Sequence, residues 1–173
     1  LLLTAFSQKQ VVLPNGWKLS PAGKSLPLGD LPLNIAVSNS KKLLAVTNNG
    51  QSKQSIQLID VATQKVIDQV TIAKSWLGLK FSADEKYLYA AGGNDNLVWK
   101  YSIINKKLNV VDSFILGEKW PNKISPAGIE IDDARNLLYV VTKDNNSIYI
   151  FDLITKKIKG IYPLKGEAFT CLL

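Results

Sequence analysis

One pattern limits the folding of this chain more than any other. A block of apolar stretch, polar turn, apolar stretch, polar turn occurs three times along it. The third copy is clearest, as "NLLYVVTKDNNSIYIFDLITKKIKG" from Asn136. It aligns with "KLLAVTNNGQSKQSIQLIDVATQKV" from Lys42 and "KYLYAAGGNDNLVWKYSIINKKL" from Lys86. Leu44, Leu88 and Leu138 correspond, as do Asp60, Ser102 and Asp152, and Lys65, Lys107 and Lys157. The lysine spacings are 107 − 65 = 42 and 157 − 107 = 50. "GEKWPNKISP" before the third copy accounts for the longer one. Each copy is preceded by a short apolar segment: "LNIAV", "LGLKF" and "AGIEI", with "FTCLL" beginning a fourth at the end of the sequence.

Four short alternating strands per unit, at a period in the forties, specify the blade of a β-propeller. The expected fold is therefore all-β: about three four-stranded blades plus the first strand of a fourth. Apolar side chains that point alternately to the two faces make two-sided sheets, so blades stack on one another. Asn34, Gly78, Gly128 and Thr170 recur on the inner strand, where crowding at the axis limits bulk. "SNSKK", "ADEKY" and "DDARN" read as hairpin turns between first and second strands. Asp60, Ser102 and Asp152 are expected to accept backbone N–H groups in the turns after the third strand. No segment keeps a 3.6-residue apolar period over ten residues.

Composition narrows the chemistry. The 173 residues suit one domain, and 46% are hydrophobic. The formal charge is +7, from 21 Lys+Arg against 14 Asp+Glu. All but Arg135 are lysines and they are scattered, which describes a solvated surface better than an Arg-based phosphate reader. With no His, the chain can form no Ser-His-Asp triad and no His-ligated metal site. Its one cysteine, Cys171, permits no internal disulfide. No stretch approaches the ~20 apolar residues of a membrane-spanning helix. Met is absent, and the opening "LLLTAFSQ" places Ala5 and Ser7 where a signal peptidase takes small residues. The expected organisation is a signal-peptide remnant over residues 1–7, an N-terminal segment over 8–31 and an incomplete run of blades over 32–173. Export to the periplasm or the extracellular space follows; a buried strand is the other reading of residues 1–6. Residues 24–32, "KSLPLGDLP", precede the first inner strand as "KVIDQVTIAKSW" precedes the second. They are expected to close the ring as an outer strand of the last blade.

The strings "LAVTN", "LYAAG" and "LYVVT" resemble the second strand of the YVTN repeat family. Residues 13–38, "LPNGWKLSPAGKSLPLGDLPLNIAVS", followed by the first blade, are similar to the N-terminal propeller of bacterial YncE-like proteins. In that family the propeller precedes an alkaline-phosphatase-superfamily phosphoesterase domain. The resemblance implies a seven-bladed ring and, as partners, further blades and a phosphoesterase domain outside this chain. It implies no catalytic residue, metal or cofactor within it.

Propeller ligands sit on the face formed by the loops before strand one and between strands two and three. Those loops hold Asn48, Trp76, Asn94, Asp95, Trp120, Lys123, Asp144, Asn145 and Glu167. Acids, amides and aromatic walls of this kind grip a small molecule, a glycan or a protein segment. Tight-turn chemistry explains "GNDN" and "KDNN" equally. Three functions are open: a non-catalytic binding or scaffold module, part of a free-standing lactonase-like propeller enzyme, or a single-stranded nucleic-acid binder. The enzyme would need converging acids and asparagines at inner-strand starts, where Pro32, Ser75 and Pro126 stand and only Glu167 fits. The nucleic-acid reading rests on lysines with interleaved aromatics and is opposed by the near-lack of arginine.

Overall fold

The computed structural model describes residues 11–19 and 23–173. A small hairpin, β1 (Val11–Val12) with β2 (Lys18–Leu19), comes first. Three antiparallel four-stranded sheets follow. Blade 1 is β3 (Pro32–Val37), β4 (Leu43–Asn48), β5 (Ser55–Asp60) and β6 (Lys65–Thr71). Blade 2 is β7 (Leu79–Phe81), β8 (Tyr87–Ala91), β9 (Leu97–Ile104) and β10 (Lys107–Ile115). Blade 3 is β11 (Pro126–Asp132), β12 (Leu137–Thr142), β13 (Ser147–Asp152) and β14 (Ile158–Pro163). Strands follow chain order in every blade, as the aligned repeat requires. Among the described residues the only helical element is one 3-10 turn, Gly93–Asp95.

Two apolar layers join the blades, because successive side chains point to opposite faces of a sheet and both sets are apolar here. Ala45, Ile56 and Leu58 of blade 1 meet Leu79, Phe81, Leu88 and Tyr101 of blade 2. On its other face blade 2 sends Tyr89, Val98 and Phe114 against Ile129, Leu138, Val140 and Phe151 of blade 3. Phe114 and Phe151 meet edge to face, with centroids 5.6 Å apart, the geometry their ring quadrupoles favour.

The crowding expected at the axis is present. A Cβ added to Gly78 would lie 2.4 Å from the Ala127 carbonyl oxygen, and one on Gly128 would lie 2.5 Å from Thr170 Cα. Asn34 donates its side-chain amide to the Leu77 carbonyl at 2.5 Å. The recurring small residues therefore mark where each inner strand touches the next.

At the rim, Lys106 reaches back to Asp60 at 2.6 Å and Lys156 to Asp112 at 2.6 Å. Asp60 Oδ1 accepts Thr63 N–H at 2.9 Å, and Asp152 Oδ1 accepts Ile154 and Thr155 N–H at 2.9 and 2.8 Å. Ser102 departs from the expected role: its buried hydroxyl has no partner among the described residues. Blade 2 turns later, through Asn105 and Lys106, both at positive φ (51° and 60°). That is a two-residue hairpin of the kind matching strand twist. Ser102 thus stays within the ladder, opposite Asn109 and Tyr87.

One further expectation meets a different local structure. Residues 170–173 form no strand, although Phe169 and Thr170 occupy the inner position beside Gly128. A strand is defined by its ladder, and no described strand pairs with this segment. Residues 24–28, expected to belong to a last blade outside this chain and so to lack their neighbour here, pair with no strand among those described. They lie over the far face of blade 1, where Leu26 lines a depression with Leu44 and Ile59, and Gly29 N–H donates to Gln57 Oε1 at 3.1 Å. Expectations for residues 1–7 fall outside the described residues.

Candidate functional site

In blades 1 and 3 the loop before the inner strand is stitched to the loop between strands two and three of the same blade. Asn49 N–H donates to the Leu31 carbonyl in blade 1, and Lys143 N–H to that of Ser125 in blade 3, both at 3.0 Å. Where loops of the three blades converge they leave a cleft of about 360 Å³. Blade 1 contributes Gln54. Blade 2 contributes Lys74, Ser75, Trp76, Gly93 and Asn94, and blade 3 Ser125, Lys143 and Asp144.

A hydrogen-bond network fixes the floor. Gln54 Oε1 accepts Ser75 N–H at 2.8 Å, and Asn49 donates its amide to the Ser75 carbonyl at 2.7 Å. The buried Asn96 donates to the carbonyls of Glu118 and Asn122 and accepts Ser125 N–H at 2.9 Å. This amide braces the long loop before β11 against the turn before β9. Ser125 Oγ donates to Asp144 Oδ2 at 2.5 Å and stands 3.2 Å from Asn94 Oδ1. Ser125 has a left-handed backbone, φ 54°, and so does Leu31, φ 51°, at the equivalent position of blade 1. The conformation is shared by blades 1 and 3 and not by Ser75, the equivalent residue of blade 2.

Of the nine candidate positions, Trp76, Asn94 and Asp144 line the cleft. Trp76 also packs against the apolar layer between blades 2 and 3. Asp95 lies beside Asn94 in the 3-10 turn without lining the cleft. Asn145 bonds within its own blade, accepting from Thr142 and donating to Tyr149 Oη at 2.8 Å. Asn48 is buried in the far face of blade 1, where its amide bonds Ser55 and Gln57 and Gly29 packs on it. Trp120 is 58% exposed on the long loop, with Lys123 Nζ 5.6 Å from its ring centroid. Glu167 is exposed on the segment before Thr170. Sequence reading did not single out Lys74, Ser125, Lys143 or Gln54 as site residues. The usable signal was positional: residues 31, 75 and 125 are equivalent points of the repeat.

A second depression, about 400 Å³, follows the inner strands. Its charged groups satisfy each other: Lys80 Nζ lies 2.7 Å from Glu130 Oε1, and the Glu130 side chain is nearly buried. Cys171 lines it too. Burial, then the nearby Glu130 carboxylate, push this thiol up to about 11, so at neutral pH it is not a thiolate nucleophile. No group of three or more Cys, Asp or Glu side chains able to hold a metal occurs among the described residues.

No family model matches the sequence, and no curated protein matches it. Solved structures do. Hydrazine synthase from Kuenenia stuttgartiensis superposes with a TM-score of 0.68 at 19% identity, over 87% of this chain and 41% of that one. The β-propeller domain of Cps50 (Swd1) from Myceliophteria thermophila gives 0.65 at 15% identity, over 80% and 46%. The WD40 repeats of RRP9 give 0.67 at 13% identity, over 83% and 42%. At these identities the likeness shows the fold alone, a β-propeller. The chain spans less than half the length of each of these structures.

Proposed function

We propose that this chain is the non-catalytic binding and scaffold part of an exported protein, with the three-blade cleft as its ligand surface. The observation that carries this reading is the cleft itself. Its volume is in the range of small-ligand sites, and its floor is held rigid by buried amide bonds instead of by the ligand. The cleft hydroxyl placed beside a carboxylate, that of Ser125, sits at a repeat position whose equivalent in blade 1 is a leucine. With no His in the sequence, no imidazole is available to act as its base.

The finer reading rests on the resemblance of residues 13–38 and the first blade to YncE-like propellers. We place a phosphoesterase domain of the alkaline-phosphatase type beyond this chain, with catalysis confined to it. The small residues before Gln8 support export to the periplasm or outside the cell. The segment over the far face of blade 1 would be the ring-closing strand, and the hydrogen bond from Gly29 to Gln57 keeps it near the edge it would join.

The test is a phosphomonoester and phosphodiester assay with zinc, magnesium or manganese added. Three proteins are compared: residues 1–173, the intact gene product, and that product without its propeller. The expected result is no turnover by residues 1–173 and activity that follows the downstream domain. Turnover by residues 1–173 refutes the reading. An intact product that lacks any second domain refutes its phosphoesterase part.

A further inference from the structure

The proposal that the cleft is a ligand surface can be taken further, because its side chains prescribe the ligand's charge. Lys74 and Lys143 line it from adjacent blades, and neither is in an ion pair among the described residues. The single lining carboxylate, Asp144, already accepts the Ser125 hydroxyl. The Gln54 amide spends its oxygen on Ser75 N–H, and the Asn94 oxygen stands 3.2 Å from Ser125 Oγ, whose single proton goes to Asp144. Each keeps its NH₂ group as a donor. Ser75 is 5% exposed and its hydroxyl has no partner among the described residues. A buried hydroxyl without a partner is costly, and it marks the floor as polar ground suited to water or a ligand hydroxyl. Trp76 supplies the apolar wall.

Donors thus outnumber acceptors, the balance of charge is positive, and one wall is aromatic. We propose that the cleft binds a saccharide carrying one anionic group. The ammonium groups of Lys74 and Lys143 take the anion, the Gln54 and Asn94 amides take ring hydroxyls, and the ring packs on Trp76. Lysine offers a point charge, without the planar fork by which arginine selects one anion geometry. A carboxylate and a phosphate both satisfy it.

The experiment is calorimetric titration of residues 1–173 with four probes: a glucuronate-containing disaccharide, glucose 6-phosphate, a neutral disaccharide and inorganic phosphate. At least one acidic sugar is expected to bind, at least about ten-fold more tightly than the neutral sugar and inorganic phosphate, and more weakly as salt rises. Which acidic sugar binds better distinguishes carboxylate from phosphate. Lys74→Ala and Lys143→Ala should each weaken that binding by about ten-fold, whereas Lys157→Ala, on the β13–β14 turn, should leave it unchanged. Neutral sugar bound as well as acidic sugar overturns the ligand class and leaves the binding module standing. Indifference to both cleft lysines overturns the site, and so does an equal loss with Lys157→Ala. No binding by any probe overturns the proposal. Phosphoester turnover is a separate result and overturns the underlying reading.

Discussion

Gly78 offers the sharpest test of how the blades are held together. It lies just before β7 on the inner side of blade 2, with its missing Cβ aimed at blade 3. An alanine methyl there would sit 2.4 Å from the Ala127 carbonyl oxygen, 2.8 Å from Ala91 Cβ and 3.1 Å from Ile129 Cγ2. The nearest atom is backbone, so no side-chain rotation relieves the clash. Restoring ordinary contact requires the inner strands of blades 2 and 3 to separate by about 1 Å, since contacts between carbon atoms lie near 3.5–4.0 Å. The same movement would stretch the Lys80–Glu130 pair, now 2.7 Å, and loosen the layer around Ile129. Overpacking of this kind costs about 1–3 kcal/mol. For a chain of this size that is roughly a 3–10 °C fall in melting temperature. Gly166→Ala is the control, because no atom lies within 4 Å of its added Cβ. Urea and thermal unfolding of the wild type and both variants, followed by far-ultraviolet circular dichroism, provide the comparison. If Gly78→Ala melts with Gly166→Ala, within about 0.5 kcal/mol of wild type, the inner strands do not pack as tightly as described.

The rim ties and the open faces give two more predictions. The Lys106 ammonium, then the Thr63 amide and hydroxyl, hold Asp60 well below its usual range, from 3.8 to about 2. A carboxylate depressed in the folded state stabilises above its unfolded value and loses that contribution as pH falls through the folded one. Asp60→Asn should therefore lower the melting temperature at pH 7, and the gap from wild type should close between about pH 4 and pH 2; a gap independent of pH contradicts the tie. Ile35 and Val37 are 56% and 55% exposed on the far side of blade 1, an apolar surface that favours association. Sedimentation of residues 1–173 should show concentration-dependent oligomers, reduced by Ile35→Lys with Val37→Lys; a monodisperse wild-type monomer would show that these faces do not drive contact.

Much of the architecture was legible in the short, nearly continuous apolar runs of strands such as β4 and β12, because a strand buried on both faces needs apolar residues at successive positions. The spacing of equivalent residues gave the blade boundaries, and the small residues at 34, 78 and 128 foretold contact at the axis. Asp60 and Asp152 were readable as turn acceptors because a carboxylate acts within three residues of itself. Ser102 was not, since its role depended on where the chain reverses. Two consecutive left-handed residues at Asn105 and Lys106 carried that turn further along. The site was legible only as a face. Trp76, Asn94 and Asp144 meet there, while Asn48, from an equally polar loop, is sealed beneath Gly29. That difference depends on which segment covers which sheet face, a contact between residues 19 apart that no local pattern records. Lys74 and Lys143 looked like two more scattered surface lysines. Only the stacking of blade 3 against blade 2 set them around one cleft, because side chains 69 residues apart acquire a common environment through packing and not through spacing.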